Sequence, residues 1–212
     1  MSESSAVVQY PYATSELGHH HAYILPAVED ALRTHGVPPG SRVFDLGCGN
    51  GSASARLASL GYEVSGADPS EEGIAQAKEA YPDLDLRLGS AYDDLASEFG
   101  TFPALISLEV VEHLYFPRKY AKTAHDLLEP GGIAILSTPY HSYFKNLVLA
   151  VTGKMDQHFT ALVDHMHIKF WSFKTLTVLL EEAGLEVLEF RRVGRVPPLA
   201  KSMVAVARRP VT

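Results

Sequence analysis

The sequence contains a single cysteine, Cys48, among its 212 residues. One cysteine excludes an intramolecular disulfide and a zinc site built from cysteines, and it favours a reducing compartment. Long hydrophobic runs are also missing: no basic segment followed by an apolar stretch marks a signal peptide, and the longest aliphatic run is LVLAV at 147–151. We therefore predict a cytoplasmic protein without a transmembrane segment.

Basic residues are scarce as well. The chain carries 18 Lys and Arg against 25 Asp and Glu, which gives a formal net charge of -7. Proteins that neutralise phosphates usually display clustered Lys and Arg, so no nucleic-acid partner is expected. The length and the apolar content of 46% are typical of one domain, over residues 1–212, rather than two.

Segments with strand character and segments with helix character alternate along the chain, and one of the predicted helices extends from Arg118 to Gly132. This alternation predicts an α/β fold with a doubly wound, mostly parallel sheet of seven strands and helices on both faces. The final two strands are joined without a helix, so the last strand is predicted to be antiparallel. Residues 1–36 precede the first strand. Residues 140–168 interrupt the alternation over a length unusual for a connection, and we interpret them as an insertion.

The stretch DLGCGNG, from Asp45 to Gly51, follows the first predicted strand. Glycines at this place let the backbone approach a ligand, and the helix that follows offers free N–H groups. Asp68 ends the second predicted strand, where an acid can accept hydrogen bonds from ribose hydroxyls. Ser52 stands where a dinucleotide-binding fingerprint has its third Gly or Ala, so a dinucleotide cofactor is disfavoured. The pattern predicts a cofactor that contains a nucleoside.

The stretch LEVVEH, from Leu108 to His113, follows another predicted strand. Glu109, Glu112 and His113 are spaced i, i+3 and i+4, so in a helix they would share one face. His165 or His167 is a further candidate. Two carboxylates with imidazoles favour Mg, Mn, Fe or Zn as a bound ion. The alternative is a helix start with solvated carboxylates and a half-buried histidine.

The D-x-G-x-G-x-G turn, followed by Asp68, resembles the class I S-adenosylmethionine (SAM)-dependent methyltransferases over nearly the whole chain. The resemblance implies a Rossmann-like fold, SAM as cofactor, a ribose contact at Asp68 and an adenine contact near Ser90. The cofactor-binding residues that it implies are Asp45, Gly47, Cys48, Gly49, Asp68, Pro69, Ser90, Ala91, Tyr92 and Leu108.

EVVEH with a later H-x-K-F is similar to the ubiquinone-biosynthesis O-methyltransferases and, in its E-x-x-E-H core, to the small-RNA 2'-O-methyltransferases. This resemblance implies a divalent metal (Mg, Mn, Fe or Zn) held by Glu109, Glu112, His113 and His167. It predicts O-methylation of a small phenolic or catecholic acceptor, with Glu112 and His113 as catalytic residues. The segment 1–36 and the insertion 140–168 are then expected to cover the acceptor pocket, and peripheral membrane contact through 143–152 is an alternative role.

Three alternatives to this function stay open at this point. One is a metal-independent N- or C-methyltransferase of a small molecule with His113 as base. The others are an RNA 2'-O-methyltransferase, which the acidic charge disfavours, and a SAM-binding protein without catalysis. The sequence predicts neither the acceptor, nor the oligomeric state, nor the role of the histidines at 19–21.

Overall fold

The computed structural model describes residues 18–159, 161–163 and 166–211. Its helices are α1 (His21–Thr34), α2 (Ser52–Ser59), α3 (Glu71–Ala80), α4 (Leu95–Phe99), α5 (Pro117–Asp126), α6 (Tyr143–Val151), α7 (Met155–Phe159) and α8 (Phe173–Glu182). Its strands are β1 (Arg42–Leu46), β2 (Glu63–Asp68), β3 (Asp85–Leu88), β4 (Phe102–Leu108), β5 (Leu128–Pro139), β6 (Glu186–Val193) and β7 (Ser202–Arg208). Two 3-10 turns lie at Val111–His113 and Pro197–Leu199.

The seven strands form one sheet in the order β3-β2-β1-β4-β5-β7-β6. All neighbouring pairs from β3 to β5 are parallel, whereas β7 pairs antiparallel with both β5 and β6. The predicted sheet, with its antiparallel last strand, is therefore confirmed. Strand order reverses between β1 and β4, which is the place where open α/β sheets bind their ligands.

Apolar side chains cover both faces of the sheet. On one face, Ile24 of α1 and Leu57 of α2 pack with Val43 of β1 in a single buried cluster. On the other face, Tyr120 of α5 and Leu180 of α8 belong to a second buried cluster. Because parallel strands end at the same edge of a sheet, the residues that follow β1, β2 and β4 lie side by side. We call this edge the rim.

The boundary between α5 and β5 differs from the prediction. The pattern indicated a helix that continues to Gly132, but α5 ends at Asp126 and β5 begins at Leu128. The chain leaves the helix here because the Phe102 amide donates to the Leu127 carbonyl at 2.8 Å and Leu128 enters register with Phe102. Pairing with a neighbouring strand therefore overrides the local helical pattern.

The predicted insertion contains α6 and α7, neither of which has a buried residue. Within the predicted cap 1–36, α1 packs on the sheet, and residues 1–17 lie outside the described residues. Among the residues that the structure describes, no helix has both the length and the apolar character needed to cross a membrane.

Candidate active site

The glycine turn after β1 has a backbone that only glycine adopts readily. Gly47 has φ +88°, and a Cβ atom at this position would lie 2.5 Å from Cγ2 of Val110. The Gly49 amide donates to Asp68 Oδ2 at 3.0 Å, which ties the turn to the end of β2. The turn therefore passes closely against the chain that follows β4, as a ligand cradle requires.

Asp45 and Asp68 are both buried, yet they hold different partners. Asp45 accepts the Ser54 hydroxyl at 2.6 Å, so it joins β1 to α2. Asp68 accepts the amides of Gly49 and Ser70, the latter at 2.8 Å. Burial raises the pKa of Asp45 to about 7 and that of Asp68 to about 6. A carboxylate has about four acceptor positions, so Asp68 retains acceptor capacity for ribose hydroxyls.

The turn after β3 contains the three predicted adenine contacts. The Ser90 amide donates to Asp93 Oδ2 at 2.7 Å, and the Tyr92 amide donates to Ser90 Oγ at 3.2 Å. The Tyr92 hydroxyl accepts the Phe116 amide at 3.2 Å, while Ala91 is buried. Sequence reasoning missed Asp93, which closes the turn. The turn thus lies beside the chain that follows β4.

The remaining predicted cofactor residues lie along the same rim. Cys48 is buried inside the glycine turn, and burial raises the pKa of its thiol well above the usual value. Leu108 ends β4 and is also buried, and Pro69 follows Asp68 at the end of β2. A neutral, buried thiol fits a packing role for Cys48 rather than a nucleophilic one.

Replacing Asp68 tests the ribose assignment. Asp68→Ala should weaken SAM binding about tenfold to a hundredfold, because a hydrogen bond to a charged group contributes about 1.5–3 kcal/mol. Calorimetric titration with SAM measures the effect, and the exposed Asp83 supplies a matched control, Asp83→Ala. Equal affinities in both variants would refute the assignment.

Glu109 does not lie in the helix that its spacing suggested. Its φ is +56°, and its amide donates to the carbonyl and the hydroxyl of Ser137 at 3.1 and 3.0 Å. Its carboxylate accepts Ser137 Oγ at 2.8 Å and Ser202 Oγ at 3.3 Å. Burial raises the pKa of Glu109 to about 7, and the nearby Lys145 has the opposite effect. Two serines from neighbouring strands therefore hold this carboxylate in place.

Glu112 is 1% exposed, and neither of its carboxylate oxygens has a hydrogen-bond partner among the described residues. Burial raises the pKa of Glu112 well above the usual value, and the charge of Glu109 adds to this. The nearby Thr138 hydroxyl has a smaller, opposite effect on that pKa without hydrogen-bond geometry. An unpartnered buried carboxyl is rare in folded proteins and calls for a compensating group.

The segment after the insertion is fixed to the 3-10 turn that carries Glu112. The Glu112 carbonyl accepts the amides of Ile168 and Lys169 at 2.9 and 3.0 Å, and the Val111 carbonyl accepts Trp171 Nε1 at 3.3 Å. These bonds place His167 beside Glu112, with 3.9 Å between His167 Nε2 and Glu112 Oε1. Backbone pairing thus brings together residues that are 55 positions apart in the sequence.

Glu112, His113 and His167 form a cluster in which one ligand atom from each lies within 4.8 Å of the others. The two imidazole rings are 5.0 Å apart at 70°. Burial lowers the pKa of His167 to about 4, helped by His113, so the ring is neutral and able to bind a cation. One carboxylate and two imidazoles suit a divalent ion such as Zn, Mn or Fe.

The cluster matches three of the four predicted metal ligands. The fourth, Glu109, is absent from the group found among the described residues, because its carboxylate is bonded to the two serines. His165, the predicted alternative to His167, lies outside the described residues. Sequence reasoning missed Ser137, Ser202 and Thr138, since short polar residues at strand ends carry no distinctive pattern.

A family model described as a methyltransferase domain matches residues 17–189. The chain belongs to the methyltransferase domain family. The match confirms the enzyme class predicted from the sequence, that of the SAM-dependent methyltransferases.

Two curated relatives are ubiquinone biosynthesis O-methyltransferases. The Ruegeria pomeroyi protein is 35% identical over 155 residues, which covers 71% of this chain and 62% of the relative. The Burkholderia pseudomallei protein is 30% identical over 177 residues, or 80% of this chain and 75% of the relative. The matched part thus spans about three fifths of the length of the first relative. Their substrates are accordingly a basis for proposals about this chain.

Among solved structures, the chain is similar to magnesium protoporphyrin IX methyltransferase from Synechocystis PCC 6803, determined with bound SAH. The TM-score is 0.69 at 20% identity, with coverage of 90% of this chain and 83% of that one. This likeness confirms the Rossmann-like methyltransferase fold. At such identity it carries no information on the acceptor.

Proposed function

We propose that the protein transfers a methyl group from SAM to a hydroxyl oxygen of a small phenolic or catecholic acceptor, assisted by a divalent ion. The observation that carries this proposal is the cluster of Glu112, His113 and His167, in which Glu112 is buried and the two histidines are half-buried. The ubiquinone biosynthesis O-methyltransferases among the relatives support oxygen as the acceptor atom.

In this reaction the bond between sulfur and methyl breaks while a bond between the acceptor oxygen and methyl forms. The sulfonium becomes the neutral thioether of SAH, and the hydroxyl proton leaves. The displacement is in line, so the protein contributes mainly by alignment of the two reactants. Gly47 and Asp68 would hold the cofactor at the ends of β1 and β2. The cluster of Glu112, His113 and His167 would then lie on the acceptor side of the cofactor.

Glu112, His113 and His167 are the residues that would hold the ion. A divalent ion bound to a hydroxyl lowers its pKa and favours the oxyanion near neutral pH. The chain itself supplies a water-poor environment, since Glu112 is buried and the buried Trp171 donates to the carbonyl of the preceding residue, Val111. Ser137 and Ser202 keep the Glu109 carboxylate next to this group, where it can receive the departing proton.

Methyl transfer from radiolabelled SAM to catechol tests the proposal. The purified protein supplied with Mg, Mn, Fe or Zn is expected to form the O-methyl product, identified by mass spectrometry. Transfer to an amine or a carbon, with none to oxygen, would instead favour the metal-independent alternative. SAM binding without transfer to catechol or any related hydroxyl compound would contradict the proposal.

A further inference from the structure

Lys145 of α6 links the insertion to the rim of the sheet. Its ammonium donates to the carbonyl of Tyr140 at 2.8 Å and to that of Lys201 at 3.4 Å. Tyr140 follows β5 and Lys201 precedes β7, so the ammonium lies across the ends of two neighbouring strands. A lysine ammonium has three N–H donors, so these two bonds leave one for a ligand.

The charges around Lys145 are not balanced. Arg195 acts on the ammonium as a like charge, and in the described part of the chain neither cation has a carboxylate oxygen within 4.0 Å. Glu109 is near enough to interact electrostatically, but its carboxylate is bonded to Ser137 and Ser202. Burial, with Arg195, lowers the pKa of Lys145 to about 8, so the ammonium remains mostly protonated at neutral pH.

The other neighbours of Lys145 add no negative charge. His141 and His158 both interact with the ammonium, and burial lowers the pKa of each imidazole, that of His141 to about 4. The rings of His141 and His158 lie 5.7 Å apart, and His141 stacks on Phe159 at 5.9 Å. The surroundings of Lys145 are thus one further cation, Arg195, with neutral imidazoles and an aromatic ring. Together with the ammonium they suit an anion on a planar ligand.

We propose that Lys145, assisted by Arg195, binds a carboxylate on the methyl acceptor, so that the acceptor is a hydroxylated aromatic acid. The inference rests on the proposed function, because it assigns the acceptor pocket. The position of Lys145 favours a carboxylate of the acceptor, rather than the methionyl carboxylate of SAM, as the group that it binds. Lys145 lies at the ends of β5 and β7, whereas the glycine turn follows β1, two strands from β5 and about 10 Å away.

The test compares two acceptors that differ only in charge, 3,4-dihydroxybenzoate and 3,4-dihydroxybenzamide. Wild-type protein is expected to bind the acid at least about tenfold more tightly than the amide in calorimetry on the SAH complex. Lys145→Met, which keeps the apolar stem, should bring this ratio close to one. Lys174→Met removes an exposed lysine of α8 and should leave the ratio as in the wild type.

A second variant tests the same site independently, in case Lys145→Met disturbs the fold. Arg195→Gln alters an exposed side chain and should lower the same ratio by a smaller factor. Equal affinity of the wild type for acid and amide would overturn the inference, and so would an SAH affinity that falls in Lys145→Met. A ratio that depends on Lys145, in a protein that methylates neither compound, would support the carboxylate site and refute the proposed function instead.

Discussion

Glu112→Gln is expected to bind divalent ions about a hundredfold more weakly than the wild type, since even indirect supports of a metal site contribute about tenfold to a hundredfold. The amide keeps the shape of the side chain but removes the charge that would face the ion. Burial raises the pKa of Glu112, which favours the neutral form of this carboxyl in the metal-free protein. The amide should therefore cause little change in stability, and methyl transfer should fall with ion binding.

Calorimetric titration with Mn and Zn, followed by elemental analysis, measures the effect without reference to activity. Because the ion and a proton compete for Glu112, whose pKa burial raises, wild-type affinity should also increase with pH. Glu109→Gln is the matched comparison, since the Glu109 carboxylate is bonded to Ser137 and Ser202 rather than placed in the cluster. It should weaken ion binding less than Glu112→Gln.

Activity measurements on metal-free protein distinguish the metal mechanism from a mechanism in which His113 is the general base. Protein stripped by a chelator should lose most activity and regain it with added metal. A metal-free protein with full turnover, combined with an inactive His113→Ala variant, would rule out the ion and assign the proton transfer to His113.

Periodicity and turn residues were sufficient to predict the sheet. Alternating strands and helices, with a final pair of strands joined by a short connection, determine both the parallel order and the antiparallel β7. The glycine turn was predictable for a similar reason, because Gly47 meets a local steric requirement that the sequence displays directly. In contrast, α5 ended early through pairing of Leu128 with Phe102, a tertiary contact.

The candidate metal cluster was only partly predictable. Spacing placed Glu109, Glu112 and His113 on one helical face, whereas the structure has a left-handed residue and a short 3-10 turn. The cause is Ser137, 28 positions later, which binds both the amide and the carboxylate of Glu109. Local spacing cannot reveal a backbone conformation that a distant strand imposes. The H-x-K-F pattern did indicate His167, whose position depends on the amides of the two residues that follow it.

Replacement of residues 142–162 by a short glycine and serine linker is expected to abolish methyl transfer while SAM binding persists. Both α6 and α7 lack buried residues, and Tyr143 and Phe144 are 85% and 52% exposed, so the core should remain intact. The replacement removes Lys145 and also His158, whose imidazole interacts electrostatically with His167. We propose that the insertion covers the acceptor pocket, and a cover of this kind excludes water and completes a site.

Turnover, SAM affinity and thermal unfolding should be measured on the same preparation. The control carries the same linker inserted after Gly100, an exposed turn residue just before the N-terminal end of β4. It tests whether the linker itself is harmful, and this variant should remain active. Turnover that survives the replacement would place the acceptor pocket elsewhere. The alternative role is peripheral membrane contact through residues 143–152, because an exposed apolar helix can also bind at a lipid surface. This role would be favoured if the intact protein floats with lipid vesicles at low salt and the protein with the replaced segment does not.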